Sequence, residues 1–528
     1  MKYPFFVLIL LILFAFPSFS QSIEREGITL RKIASLPQNQ ARPVRLNRLP
    51  NGHLIYGTLN GQIFEVINGK TELWADEADH LLSYLSSMDI HGNDMYICGS
   101  IVQPGDSTMI GYVYKGNISD KTWRLLADSD PYYLGLGFND HRFSSLVVSL
   151  DGLDVYVHSG TRTNAGEIHY LEGVKGTEGL RDQPLRGKLF RLPTSEDDPI
   201  HLPGDSALLY ESGYIFSEGL RHLFAMGWGT DGYLYGASNS DRRDVGEAFY
   251  RVTQNRHYGF PWLIGGELNP LQYPDYDIST DNLAGPTINN QGYYDADPDF
   301  PIMPNLVDFV QPYHNVGPDA DKFRDKQTGE ILDASDLGMT VTTFSGHRSP
   351  TGLKFDHTLS LPFPYTGDGF LVSYGGGLGN DRKDLLHLKL LNKDSLSATT
   401  LISGFNSLLD VFIDADTLYL LESGSSNGSG KAIYQVSFDQ MVTDIEEENQ
   451  ISPIKIIPNP TSSKITVDIT GEEFVNHIAL FNLQGQQQEI VYDRNTSEVD
   501  LSILSSGIYV AMIKFDSGQM ITRRIVKF

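Results

Sequence analysis

Residues 219–262 read GLRHLFAMGWGTDGYLYGASNSDRRDVGEAFYRVTQNRHYGFPW, and this stretch decides the fold. Thr230-Asp231-Gly232 is a turn, because Asp and Gly tolerate the positive φ that a tight hairpin requires. Tyr233, Leu234 and Tyr235 follow as a short strand, and residues 248–252 supply its partner after a polar loop. That loop gathers Asn239, Asp241, Asp244 and Glu247, oxygen donors of the kind a hard cation such as calcium takes. Arg221 and His222 precede the hairpin, where the inter-strand loops of a propeller open onto a central channel.

The same unit of turn, short strand, loop and second strand recurs outward from this stretch. Before it come residues 51–56 with 62–66, 92–96 with 111–114, and 151–156 with 187–192. After it come residues 367–372 with 385–390, and 414–419 with 432–436. Six such meanders predict an all-β, six-bladed β-propeller over residues 21–438. A lone strand at 28–36 is a candidate for closing the ring. Blade spacing is irregular, and the largest insertion, 263–343, is rich in Pro, Asp, Asn and Tyr. Loops of that length are commonly functional, so its tyrosines are candidates for lining a substrate cleft, or else surface padding.

Composition narrows the partners. Lys and Arg total 40 against 66 Asp and Glu, a formal charge of −26, which disfavours nucleic acid and anionic membrane surfaces. The single cysteine, Cys98, follows Tyr96-Ile97 in an apolar strand and reads as a buried core residue rather than a nucleophile. Lys2, an apolar run over 5–16 and the small residues Ser18 and Ser20 read as a secretory signal peptide over 1–20. No later segment is long and apolar enough to cross a bilayer, so an integral membrane protein is not expected.

The motifs of the central stretch resemble the soluble quinoprotein glucose/sorbosone dehydrogenase family, in the order G-x-R-N-P, D-G-x-L-Y, D-R-x-D-E, N-Y-G-W-P. Their counterparts are Gly219 to Leu223, Asp231 to Tyr235, Asp241 to Glu247, and His257-Tyr258-Gly259-Phe260-Pro261. Asn139-Asp140-His141-Arg142-Phe143 parallels the family's H-x-G-G-x-L, and Ser349-Pro350-Thr351-Gly352-Leu353 its S-P-x-G-L. The resemblance implies a secreted oxidoreductase that uses pyrroloquinoline quinone and calcium to oxidise a sugar hydroxyl. His141 would be the general base and Arg221 the charge beside the quinone. His222, Ser238, Asn239 and Ser240 would lie along the cofactor, and Asp241, Asp244 and Glu247 would bind a structural calcium. The residues also admit plainer roles: Arg221 salt-bridged to a loop carboxylate, and the acidic loop a solvated turn paired with Arg242 and Arg243. The chain departs from the family at three places. Residues 406–410 carry no arginine, Tyr374-Gly375-Gly376-Gly377 stands in place of a lysine with Arg382 or Lys383 nearby, and Gly160-Thr161 replaces G-D.

After an acidic linker, 439–452, the pattern restarts as a small β-sandwich over 453–528. Pro458-Asn459-Pro460, Leu480-Phe481-Asn482-Leu483-Gln484-Gly485 and Ser506-Gly507-Ile508-Tyr509 resemble the C-terminal sorting domain of the type IX secretion system. That resemblance implies an outer-membrane secretion machinery as partner, and a secreted or cell-surface protein exported through periplasm and outer membrane. Two alternatives to the dehydrogenase remain: a non-catalytic propeller gripping glycan or protein, and a calcium-dependent lactonase.

Overall fold

The computed structural model describes residues 21–104, 107–135, 141–168, 179–284, 293–295, 297–305, 307–380, 383–425, 430–439, 454–469, 474–482, 487–493, 496–515 and 520–527. The signal segment, Asn139, Asp140, Arg382 and all of the acidic linker but Asp439 therefore lie outside the described residues. Contacts divide the chain into two units, 1–440 and 441–528.

The first unit is a six-bladed propeller built from antiparallel sheets. The innermost strands are Pro43–Arg48, Leu85–His91, Phe143–Val148, Leu223–Trp228, Pro350–Phe355 and Leu408–Asp414, and each packs against the next around the ring. Every second strand follows an Asp- or Gly-bearing turn, as the repeat predicts. In blade 4 Gly232 takes φ 80°, Gly229 N donates to Tyr233 O, and Asp231 accepts from the Tyr233 amide. The lone N-terminal strand, Ile28–Ser35, pairs antiparallel with Ala432–Phe438 as the outermost strand of blade 6. First and last blade segments are thereby stitched together, and the ring closes.

Each inner strand pairs on one side only, which leaves a second edge facing the axis. Buried backbone groups there need partners, and side chains of neighbouring blades supply them. Leu46 N donates to Asp410 Oδ2 (2.9 Å), Leu146 N to Ser87 Oγ (3.1 Å) and Val148 N to Asp89 Oδ2 (3.0 Å). Ser145 Oγ donates to Leu223 O and Thr351 Oγ1 to Leu408 O. Apolar layers fill the space between blades, as where Tyr235, Phe249, Phe344 and Phe355 meet between blades 4 and 5. Cys98 is fully buried, and burial pushes its thiol up to about 12, in keeping with an inert core residue.

The 263–343 insertion packs onto the ring and adds His314–Pro318 and Val341–Thr342 to the outer edge of the blade 5 sheet. Leu271, Leu283, Tyr294 and Phe300 form a small core with Ala165, Val245 and Phe260, and Tyr276 packs against it. Its hairpin Lys322–Arg324 with Ile331–Asp333 lies beyond the blades proper.

The second unit is a sandwich of two four-stranded sheets. Ile454–Ile457, Lys464–Ile469, Glu498–Asp500 and Val491–Asp493 make one sheet; Val475–Asn482, Gly507–Phe515 and Met520–Lys527 dominate the other. Ile465, Val467, Leu480, Val499, Ile513 and Phe515 fill the space between them.

Ring closure is testable. A chain beginning at Pro37 should unfold at a clearly lower urea midpoint than one beginning at Gln21, whereas equal midpoints would show that the closing strand is dispensable. Leu420→Ala, at a fully buried site beneath that strand, should cost about 2–5 kcal/mol in the same assay.

Candidate functional site

The two ends of the central channel differ. At one end Arg45 fills the axis: Nε donates to Ser87 Oγ (3.1 Å), NH1 to Val44 O (3.0 Å) and NH2 to Phe224 O (2.8 Å). Its guanidinium lies 4.1 Å from the centre of the Phe224 ring. Asp89, Lys354 and Asp410 line the remaining space, about 10 Å³. At the other end the channel widens into a cavity of about 860 Å³ lined by residues of all six blades.

A simple rule selects much of that lining. Arg42, Tyr84, Arg142, His222 and Ser349 each stand immediately before an inner strand, and all five line the cavity. The residue one step before the ladder starts is placed at the channel mouth, where three of the five pack across blades: Arg42 on Tyr374, Arg142 on Tyr84 and His222 on His141.

Three histidines cluster in the blade 3 and 4 wall. The rings of His141 and His222 stack with centroids 3.9 Å apart and planes 19° apart; His158 lies 6.3 Å from His222. Burial, followed by His222, Arg221, His158 and Arg186, holds His141 well below the usual imidazole range. Burial, followed by His158, Arg221 and Arg45, does the same to His222. His141 is therefore a neutral imidazole at physiological pH, the form that accepts a proton. The Nδ1 atoms of His141 and His222 are buried, with no hydrogen-bond partner among the described residues.

Backbone bonds fix His141 relative to Arg221. His141 N donates to Thr161 O (3.1 Å), and Thr161 N donates to Arg221 O (2.9 Å). Gly160 makes this approach sterically feasible, since a Cβ there would fall 2.3 Å from His141 Cβ. Arg221 itself is buried and clamps two loops. Nε donates to Asn164 O (2.8 Å), NH2 to Asn164 Oδ1 (3.3 Å) and NH1 to Asn239 O (3.2 Å). Carbonyls therefore hold it, rather than a salt bridge to a loop carboxylate.

The polar loop is split in its duties. Asn239, Ser240, Asp241 and Glu247 line the cavity, while Ser238 Oγ accepts from the His222 amide (3.3 Å). Glu247 accepts from Ser240 N (2.7 Å) and Ser349 N (3.3 Å). Asp241 Oδ1 accepts from Arg243 N (2.9 Å); its Oδ2, like Asn239 Oδ1, is buried with no partner among the described residues. Burial raises the Asp241 carboxyl to about 6, against the pull of Arg243 and Arg221. Asp244 faces elsewhere, bonded to His347 Nε2 (2.6 Å) and Arg324 Nε (2.5 Å).

This geometry amends several expectations. Asp241, Asp244 and Glu247 do not converge on one point: among the described residues no group of three or more His, Cys, Asp or Glu has metal-holding geometry, and Asp244 is bonded to Arg324 and His347. Lys383 does not reach the cavity; its ammonium bonds Asn406 O and Ser407 Oγ and lies 5.5 Å from the Tyr374 ring centre. None of the described residues of the 263–343 insertion lines the cavity. The structure also adds residues that sequence reasoning missed. Arg42, stacked on Tyr374 (5.7 Å), Arg142, stacked on Tyr84 (4.7 Å), and Arg242 share the cavity with Arg221.

A family model for the secretion system C-terminal sorting domain matches residues 455–527. The C-terminal unit is a type IX sorting domain. It directs export of the chain to a secreted or cell-surface location. Among the described residues no helix is long and apolar enough to cross a membrane. No curated protein matches the chain. Solved structures similar to it include an oxidoreductase (glucose dehydrogenase) from Thermus thermophilus, at 15% identity and a TM-score of 0.47, covering 78% of this chain and 100% of that one. The PQQ-bound aldose sugar dehydrogenase of Streptomyces coelicolor aligns at 15% and 0.43, covering 80% and 99%. The PQQ domain of a pyranose dehydrogenase from Coprinopsis cinerea aligns at 12% and 0.46, covering 80% and 98%. At such values these neighbours carry no argument about chemistry, and the propeller rests on its own strand pairings.

The buried histidines give a signed pH prediction. His158 is fully buried, and burial lowers its imidazole from 6.5 to about 4. The unfolded chain therefore binds this proton first as pH falls, so stability is complete above 6.5 and is lost between 6.5 and 4. His158→Gln should make unfolding free energy fall less steeply over that window, by about 1.4 kcal/mol per pH unit. Urea titrations of both proteins across the window check this, and parallel curves would contradict it.

Proposed function

We propose that the cavity holds pyrroloquinoline quinone and that the protein is a secreted oxidoreductase acting on a sugar hydroxyl. The observation that carries this is the charge of the cavity wall. In a chain of net charge −26, Arg42, Arg142, Arg221 and Arg242 line one cavity beside a neutral imidazole. A planar tricarboxylate needs that combination of cations and a large open volume.

The residues present suit such a guest. Arg42, Arg142 and Arg242 would meet its carboxylates, and the Tyr84 and Tyr374 rings set the direction of the first two. Arg221, held by three acceptor contacts, is a fixed positive charge, pre-organised rather than recruited on binding. Asn239 Oδ1 and Asp241 Oδ2, two cavity-wall oxygens with no hydrogen-bond partner among the described residues, are what a calcium ion would take. Bound quinone supplies a hydride acceptor. The chain's own part is to orient the substrate hydroxyl toward His141, whose neutral ring takes the hydroxyl proton. Export through periplasm and outer membrane by way of the sorting domain would place this chemistry outside the cell.

A second reading, a non-catalytic propeller that binds glycan or protein, draws on the His141–His222 stack. His222 covers one face of the imidazole assigned as base.

The deciding experiment adds quinone, with and without calcium, to the purified chain, then follows cofactor absorbance and dye reduction over a panel of sugars. The dehydrogenase reading expects saturable binding, calcium-enhanced turnover, and a His141→Ala variant that binds quinone but turns over about 10²–10⁴-fold more slowly. No binding at high micromolar quinone would leave the second reading.

A further inference from the structure

The cavity wall contains one more histidine whose setting is unlike the others. His347 lies in the Gly346-His347-Arg348-Ser349 segment that leads into blade 5, and its side chain is 38% exposed at the cavity. Two non-glycine residues of this segment take left-handed backbone: His347 at φ 64° and Ser349 at φ 51°. Such conformations persist where the surroundings over-determine them, and they concentrate at ligand sites. What over-determines this one is on hand. A Cβ at Gly346 would fall 2.4 Å from Val245 O, so the segment is pressed against blade 4. Ser349 N donates to Glu247, and His347 Nε2 is locked to Asp244 Oδ1 at 2.6 Å. Asp244 is in turn held at its other oxygen by Arg324 of the insertion hairpin, 80 residues away.

With Nε2 committed, the other ring nitrogen, Nδ1, has no protein partner among the described residues. The geometry assigns His347 as a ligand-contacting residue of this cavity, its Nδ1–H donating to a carboxylate of the bound guest while Asp244 and Arg324 fix the plane of the ring. The assignment rests on the anionic-guest reading above and adds a contact to it. Burial lowers the His347 imidazole, but the bond to Asp244, with Glu247 and Asp241 behind it, outweighs burial and holds it above the usual range. The cavity thus opposes a neutral imidazole, His141, with one that tends to keep its second proton. The insertion, which contributes no cavity-lining residue of its own among those described, acts on the site through this relay.

Two isosteric substitutions separate ligand contact from a structural bond to Asp244. His347→Asn places an amide N–H where Nδ1 stands and tolerates positive φ, but loses Asp244. His347→Gln places its N–H at the Nε2 position and keeps Asp244, but loses the Nδ1 donor. The full chain and both variants are titrated with pyrroloquinoline quinone, reading tryptophan fluorescence quenching and cofactor absorbance, with urea midpoints taken alongside. The assignment expects His347→Gln to weaken binding about tenfold and His347→Asn to stay within about threefold of the parent. Quinone binding that is equal in all three, or retained by Gln and lost by Asn, overturns the assignment alone. A parent chain that binds no quinone overturns it together with the reading on which it rests.

Discussion

Six strands can share an axis only if the backbone edge each turns toward it is satisfied, and everything at this site depends on how that requirement is met. Ser87, Asp89, Ser145, Thr351 and Asp410, all on inner strands, bond backbone groups of an adjacent blade. A polar lining is thereby drawn into the molecule's centre, where an apolar one would leave amides and carbonyls stranded at a cost of about 1–3 kcal/mol each. Two carboxylates of that lining, Asp89 and Asp410, then bring in a cation, and Arg45 completes the plug. The channel is narrowed at that end by the same chemistry that holds the blades together, and the wide cavity lies at the other.

At the open mouth the side chains just ahead of the inner strands line the cavity. Arg42, Tyr84, Arg142 and His222 occupy equivalent steps in four successive blades and converge by ring symmetry rather than by sequence proximity. Chain-wide the protein repels anions; locally the mouth gathers arginines on aromatic platforms. Buried Asp241, with its carboxyl raised to about 6, only partly offsets them. The contrast confines anion recognition to one place on an acidic surface.

The hairpins were legible because turns bearing Gly or Asp announce themselves, and the six second strands follow them directly. Inner strands were legible only where a family motif marked a blade entry, at residues 139–146 and 347–355. Pro43–Arg48 and Leu85–His91 are buried at their first five positions, so the alternation that betrays a half-exposed strand is absent. Missing the first of these strands meant missing Arg42, whose meaning comes from standing one residue ahead of it. The acidic loop was misjudged for a related reason: Asp244 looks like a metal ligand beside Asp241 until Arg324 and His347, distant in sequence, are seen to claim it. His141 and Arg221, flagged from motif context, do come together, linked through Thr161. The C-terminal unit was read from three short motifs, and a sorting-domain family model matches residues 455–527.

The account stands or falls on what the mouth of the ring accepts. Crystals of the protein grown with pyrroloquinoline quinone and calcium should show a planar molecule in the cavity, its carboxylates against arginines of blades 1, 3 and 4 and one edge toward His141. A well-ordered cavity holding only solvent at saturating quinone, or quinone bound elsewhere on the ring, would contradict it.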